Sequence, residues 1–161
     1  MRLLSCMALV SACGLAVYAA PAGAQSNNVR ISGLSDLAFG SLTSGVDATR
    51  TENVCTFSAT ATKGYRITAS GSGSSNAFTL ANGTATLAYE VQWNKLSSQS
   101  SGSNLTPNVA LTGQTSTATQ QACNSGPANS GTLIVIIRGT SIASAAGGPY
   151  AGTLTLLIGP E

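Results

Sequence analysis

The 161-residue chain contains no histidine. That removes the usual general base of Ser–His and Cys–His catalysis and the commonest metal ligand. Charge is nearly as scarce. Seven Lys and Arg and five Asp and Glu make up 7% of the chain and leave a net charge of +2. So few basic residues give no patch for nucleic acid. The carboxylates are scattered, with no pair at the spacing glycoside hydrolysis needs. Gly71-Ser72-Gly73-Ser74 is glycine-rich but lacks the lysine and the following helix of a phosphate loop. Beyond the N-terminal leader, no run is long and apolar enough to cross a bilayer. Two isolated cysteines, Cys55 and Cys123, do not make a zinc site. No cofactor or metal is expected. Serines are plentiful, so a Ser–Lys dyad built on Lys63 or Lys95 stays open, but nothing singles out one serine.

What is present begins with an export leader. Arg2 supplies a minimal positive region, Leu3 to Ala20 is apolar and small, and Ala22-Gly23-Ala24 is a small-x-small cleavage site. The cut is placed after Ala24, so that 1–24 is a signal peptide and 25–161 is one domain. A membrane helix is the alternative, but Ser5, Ser11, Gly14 and Pro21 interrupt the run and no basic stop follows it. Val10-Ser11-Ala12-Cys13 also loosely fits a lipid-attachment box, with Cys13 as the acceptor. In an exported chain the remaining pair, Cys55 and Cys123, reads as a disulfide, with two buried thiols as the alternative.

Hydrophobic periodicity is that of strands throughout, and no helical period stands out. Val29 and Ile31 alternate with Arg30 and Ser32. Leu37, Phe39 and Leu42 anchor the next stretch, and 43–52 reads as a polar loop. From 53 to 62, Cys55, Phe57, Ala59 and Ala61 alternate with Thr56, Ser58, Thr60 and Thr62. Lys63-Gly64 then turns the chain into Tyr65, Ile67 and Ala69, which predicts a hairpin. A short strand over 77–80 leads to the tight-turn pair Asn82-Gly83. Leu87, Tyr89, Val91 and Trp93 form the clearest alternation. Val109–Leu111 is a further short strand. The irregular stretch 114–129 would be pinned by Cys123. The unbroken run Leu133 to Ile137 predicts a central strand.

The last stretch sets the question. Tyr150, Gly152, Leu154, Leu156 and Ile158 share one face, with Ala151, Thr153 and Thr155 on the other. Leu157 makes the strand's end apolar on both faces, as in a strand covered on both sides. Glu90 and Arg66 are candidates for a cross-strand ion pair. Trp93 and Tyr89 are candidates for the core, or for stacking on a sugar. Seven or eight short strands with regular turns predict an all-β sandwich or barrel.

Five segments resemble a known family. Gly148-Pro149-Tyr150-Ala151-Gly152-Thr153-Leu154-Thr155-Leu156 is similar to the closing motif of chaperone–usher pilus subunits. Gly33-Leu34-Ser35-Asp36-Leu37-Ala38-Phe39-Gly40 resembles the early segment of the spore coat protein U domain. Cys55-Thr56-Phe57, the run Gly64 to Gly71, and Leu87-Ala88-Tyr89-Glu90-Val91 resemble the strands that follow it. The resemblance spans Val29 to Glu161.

The resemblance implies an immunoglobulin-like β-sandwich that lacks its final strand. It implies a non-enzymatic subunit of a surface fimbria or pilus, with a role in adhesion or biofilm formation. The implied partners are a periplasmic chaperone, an outer-membrane usher and neighbouring pilus subunits, which supply the missing strand by β-strand addition. The implied location is the cell surface, reached through the periplasm. Leu154, Leu156 and Ile158 would then line the acceptor groove, and Val29, Ile31 and Leu34 would be the candidate donor strand. The chain departs from the family in two ways. It has no cysteine between Gln25 and Val54, and it has only a short apolar arm before its first strand. The alternative is a self-contained exported β-sandwich that binds carbohydrate or another surface ligand.

Overall fold

In a computed structural model, residues 27–161 are described. The leader and Cys13 lie outside them. Among the described residues the strands are β1 (Val29–Ser32), β2 (Ala48–Ser58), β3 (Gly64–Gly71), β4 (Thr79–Asn82), β5 (Ala85–Ala88), β6 (Glu90–Asn94), β7 (Ser103–Asn104), β8 (Leu111–Thr115), β9 (Gly131–Ile137) and β10 (Leu154–Pro160). A short helix, α1 (Gly139–Ser144), interrupts the β pattern. A five-stranded sheet runs β1-β2-β9-β6-β7, a three-stranded sheet runs β10-β3-β8, and β4-β5 form a small hairpin. Every pairing within these sheets is antiparallel. The two larger sheets enclose one core, and the fold is an immunoglobulin-like β-sandwich.

The apolar run Leu133 to Ile137 behaves as its composition demands. β9 is buried along its whole length between β2 and β6. Leu87, Tyr89, Val91 and Trp93 are all buried, although the run changes sheets at Tyr89, leaving the β4–β5 hairpin and joining the large sheet. The hairpin closes at Gly83, whose φ of +59° suits glycine.

Several expectations are corrected. β2 and β3 are not a hairpin, since β2 pairs with β1 and β9 while β3 pairs with β10 and β8. The chain crosses between sheets here, and the Ser58 and Thr60 hydroxyls donate to the Gly64 carbonyl at 2.8 and 3.2 Å. Alternation alone does not distinguish strands that lie side by side from strands that lie face to face. The polar row of β2 also turns inward. Thr56 and Ser58 are buried, while Cys55 packs with Cys123 and Ala118 in a separate small cluster. The Thr56 backbone is satisfied by Ser130, whose Oγ accepts from the Thr56 amide at 2.8 Å and donates to the Thr56 carbonyl at 2.7 Å, while the Thr56 hydroxyl is buried without a hydrogen-bond partner.

The stretch 43–52 is not all loop, because β2 begins at Ala48. Leu157 is not covered, being 68% exposed on the outer face of β10. Glu90 does not pair with Arg66. Arg138 takes Glu90 in a two-pronged contact, Nε to Oε1 at 2.9 Å and Nη2 to Oε2 at 2.5 Å, and reaches Asp47 at 2.9 Å. Cys55 and Cys123 are joined by a disulfide that ties β2 to the 116–130 loop.

Candidate functional site

β10 is paired on one side only. Leu156 stands opposite Ala69, Ile158 opposite Ile67 and Pro160 opposite Tyr65, and among the described residues no strand pairs with the other edge. Cross-strand partners share a face, so Leu154, Leu156 and Ile158 point into the sandwich with Ile67 and Ala69. All three are only partly buried. An uncovered strand edge presents a row of unpaired N–H and C=O groups, a template for another strand.

The seam between β10 and the large sheet is closed at one end and open at the other. β1 lies against β10. Ser58, the cross-strand partner of Val29, and Glu161 both hydrogen-bond to the Gly64 carbonyl, so β1 starts beside the C-terminal end of β10. Beyond Ser32 the chain leaves the sheet, and the seam opens into a cleft of about 920 Å³. One wall holds Leu154 and Leu156, and the other is the segment 34–42. The core residues Leu87, Tyr89, Leu133, Val135 and Ile137 line its floor, so the cleft reaches down to the core.

The segment 34–42 carries Leu37, Phe39 and Leu42 against that core but is not a strand. Among the described residues its backbone makes no hydrogen bond to other backbone. Side chains of β2 hold it instead. Arg50 donates from Nε to the Ala38 carbonyl at 3.0 Å and from Nη2 to the Phe39 carbonyl at 3.2 Å, with its guanidinium 5.7 Å from the Phe39 ring centre. Glu52 Oε1 accepts from the Ser35 amide at 2.6 Å and from the Ser35 hydroxyl.

The candidate residues fall as follows. Leu154 and Leu156 line the cleft, while Ile158 packs beyond its closed end. Val29 and Ile31 stand in β1, paired with β2 of the same chain and packed on its own core. Leu34 is 45% exposed at the start of the loose segment. Tyr89 and Trp93 are both core residues, and Tyr89 also forms part of the floor. Sequence reasoning missed Arg50 and Glu52. Their signal was a charge of each sign at alternate positions, within what proves to be β2. Among the described residues no group of three His, Cys, Asp or Glu comes together to hold a metal.

No family model matches the chain, and no curated protein matches it. Solved structures do. One is a chain from work described as "Chaperone-tip adhesin complex is vital for synergistic activation of CFA/I fimbriae biogenesis". It aligns at a TM-score of 0.55 and 20% identity over 83% of this chain and 43% of that one. Another comes from a CsuC–CsuE chaperone–tip adhesion subunit pre-assembly complex of archaic chaperone–usher Csu pili of Acinetobacter baumannii. Its TM-score is 0.45 at 17% identity, over 82% of this chain and 39% of that one. The chain thus spans less than half the length of either neighbour. The first likeness is one of fold alone.

Proposed function

We propose that this chain is a subunit of a surface pilus and works by accepting a β-strand into the open seam. The observation that carries this is the unpaired edge of β10 beside a cleft floored by core residues. A strand laid there would gain main-chain hydrogen bonds from β10 and bury alternate apolar side chains against Leu154, Leu156 and the floor. The function is structural rather than catalytic. A periplasmic chaperone would fill the seam first. A neighbouring subunit would replace it at an outer-membrane usher, and the assembled fibre would be displayed on the cell surface and serve adhesion. The fold likeness to a chain of a chaperone–tip adhesin complex supports this reading, as do the motifs similar to the spore coat protein U domain. Val29, Ile31 and Leu34 can act as a donor only if β1 leaves β2. The geometry therefore favours the accepting role.

The test is to fuse a designed strand of alternating Val and Thr, through a flexible linker, to the C-terminus. The fused chain is expected to be monomeric and to melt well above the unfused chain, which is expected to self-associate. A fused strand that leaves melting and self-association unchanged would overturn the proposal.

A further inference from the structure

The inward row of β2 is the place where the molecule breaks its own pattern. Ala48, Arg50, Glu52 and Val54 stand opposite Ile137, Val135, Leu133 and Gly131 of β9, so their side chains share the core-facing side. Val54 is fully buried core, and Val135 and Leu133 form the floor of the cleft. A sheet face that meets a core ordinarily carries apolar residues at every second position. Here two consecutive inward positions carry opposite charges.

Their bonds run mostly to one place. Of Arg50's three contacts, one returns to the neighbouring Thr49 carbonyl, and the other two go to Ala38 and Phe39 carbonyls. Glu52 spends one carboxylate oxygen on Ser35 and leaves Oε2 buried without a partner. A buried oxygen without a partner costs free energy. The pair therefore does not read as a device for stabilising the closed fold. What it does geometrically is grip one segment at its start and its middle. The grip uses side chains and consumes the Ser35 amide and the Ala38 and Phe39 carbonyls. The remaining backbone groups between Asp36 and Leu42 make no hydrogen bond to other backbone, opposite the free edge of β10.

We infer that Arg50 and Glu52 are positioning residues that hold 34–42 as the second wall of the slot. A guest strand would then be paired on both sides, by β10 and by this segment. The inference rests on the strand-acceptance reading above. It adds that the far wall is made by two charges and not by a sheet.

Hydrogen exchange on the full chain, with and without the fused Val/Thr strand, reads this out together with the affinity of the same strand added as a free peptide. In the unaltered chain, filling the slot is expected to slow exchange both in β10 and at amides between Asp36 and Leu42. Arg50→Leu with Glu52→Leu is expected to weaken peptide capture about tenfold, the worth of one or two hydrogen bonds. Protection at 36–42 should be lost while β9 and β6 stay protected. Glu52→Gln keeps the acceptor for Ser35 and should capture nearly as well as the unaltered chain, whereas Glu52→Leu should not. Protection that appears in β10 but never at 36–42 would overturn the inference, as would a double leucine variant that captures the peptide undiminished. A double variant that loses protection in β9 as well has unfolded, and the Gln-against-Leu comparison at position 52 then decides. If the unaltered chain takes no strand at all, it is the strand-acceptance reading that has failed.

Discussion

Trp93 donates its indole N–H to the Tyr65 hydroxyl at 3.0 Å, with the two rings edge to face and their centres 6.4 Å apart. Trp93 belongs to β6 of the large sheet and Tyr65 to β3 of the small one, so the contact bolts the layers together near the closed end of the seam. Burial pushes the Tyr65 hydroxyl up to about 12, against the opposing pull of its bond from Trp93.

Tyr65→Phe removes that acceptor and leaves a buried indole N–H unpaired. The expected loss is roughly 1–3 kcal/mol of unfolding free energy, measured by denaturant titration of the strand-fused chain. Removing the hydroxyl should also change the alkaline limb. With Tyr65 present, its raised folded value means stability that is whole below pH 10 and is lost as pH climbs towards about 12. The phenylalanine variant should lack that decline. Equal alkaline sensitivity in both chains would show that Tyr65 does not titrate as its burial implies.

Reducing the Cys55–Cys123 bridge reopens a long loop, since the two residues are 68 apart in sequence. On the chain-entropy account the loss is about 4 kcal/mol. The C55A/C123A chain should melt well below the oxidised one. The 116–130 loop should exchange its amides first and β9 last, because β9 is held by β2 and β6 independently of the bridge.

Leu156 and Thr155 are neighbours on opposite faces of β10, the first turned towards the cleft and the second exposed. Leu156→Asp would place a carboxylate where the guest strand packs, at a cost of several kcal/mol if it is desolvated. Capture of a Val/Thr peptide should fall on the order of 100-fold or more. Thr155→Asp should leave capture within about twofold, as surface substitutions usually do. Similar losses for both would mean that the peptide binds somewhere other than the cleft.

Asp47 and Glu90 set the acid limb. The Gly139 amide and then Arg138 hold Asp47 below its ordinary 3.8, and Arg138 holds Glu90 below its ordinary 4.5. Both folded values are depressed, so the stability these groups give is present above 3.8 and 4.5 and is lost as pH falls through the lower folded values. The groups are exposed, so the effect is modest and should shrink in high salt. The D47N/E90Q chain should show a flatter melting profile between about pH 5 and pH 2. A profile unchanged from the parent would mean that the triad does not persist in solution.

How far the sequence carried depended on which physical signal each element used. β9 was legible because an unbroken apolar run has few places to go. The inward set of β10 was legible because Leu154, Leu156 and Ile158 keep strict period two. Thr56 and Ser58 defied the pattern: the Ser58 hydroxyl faces inward because the Gly64 carbonyl satisfies it, and Thr56 is held there through its backbone by Ser130. Arg50 and Glu52 defied it more strongly. Polar residues of this kind read as loop, and only the backbone they grip, 11 to 17 residues upstream, explains why they stand on the core-facing side of the sheet. The crossing between sheets at Lys63 was hidden because the alternation of Tyr65, Ile67 and Ala69 is the same whichever sheet receives it.

The stop that β1 puts at one end of the seam makes the slot a ruler. The open length along the last strand and its approach runs from Gly152 to Leu156, roughly 13 Å at about 3.3 Å per residue. A guest that pairs there is measured as well as matched. On the proposed reading, a segment of about five residues would fill the slot, a shorter one would leave part of the floor wet, and a longer one would have to bend away at β1. In a polymer of such units, the spacing between successive subunits would then follow from where β1 sits.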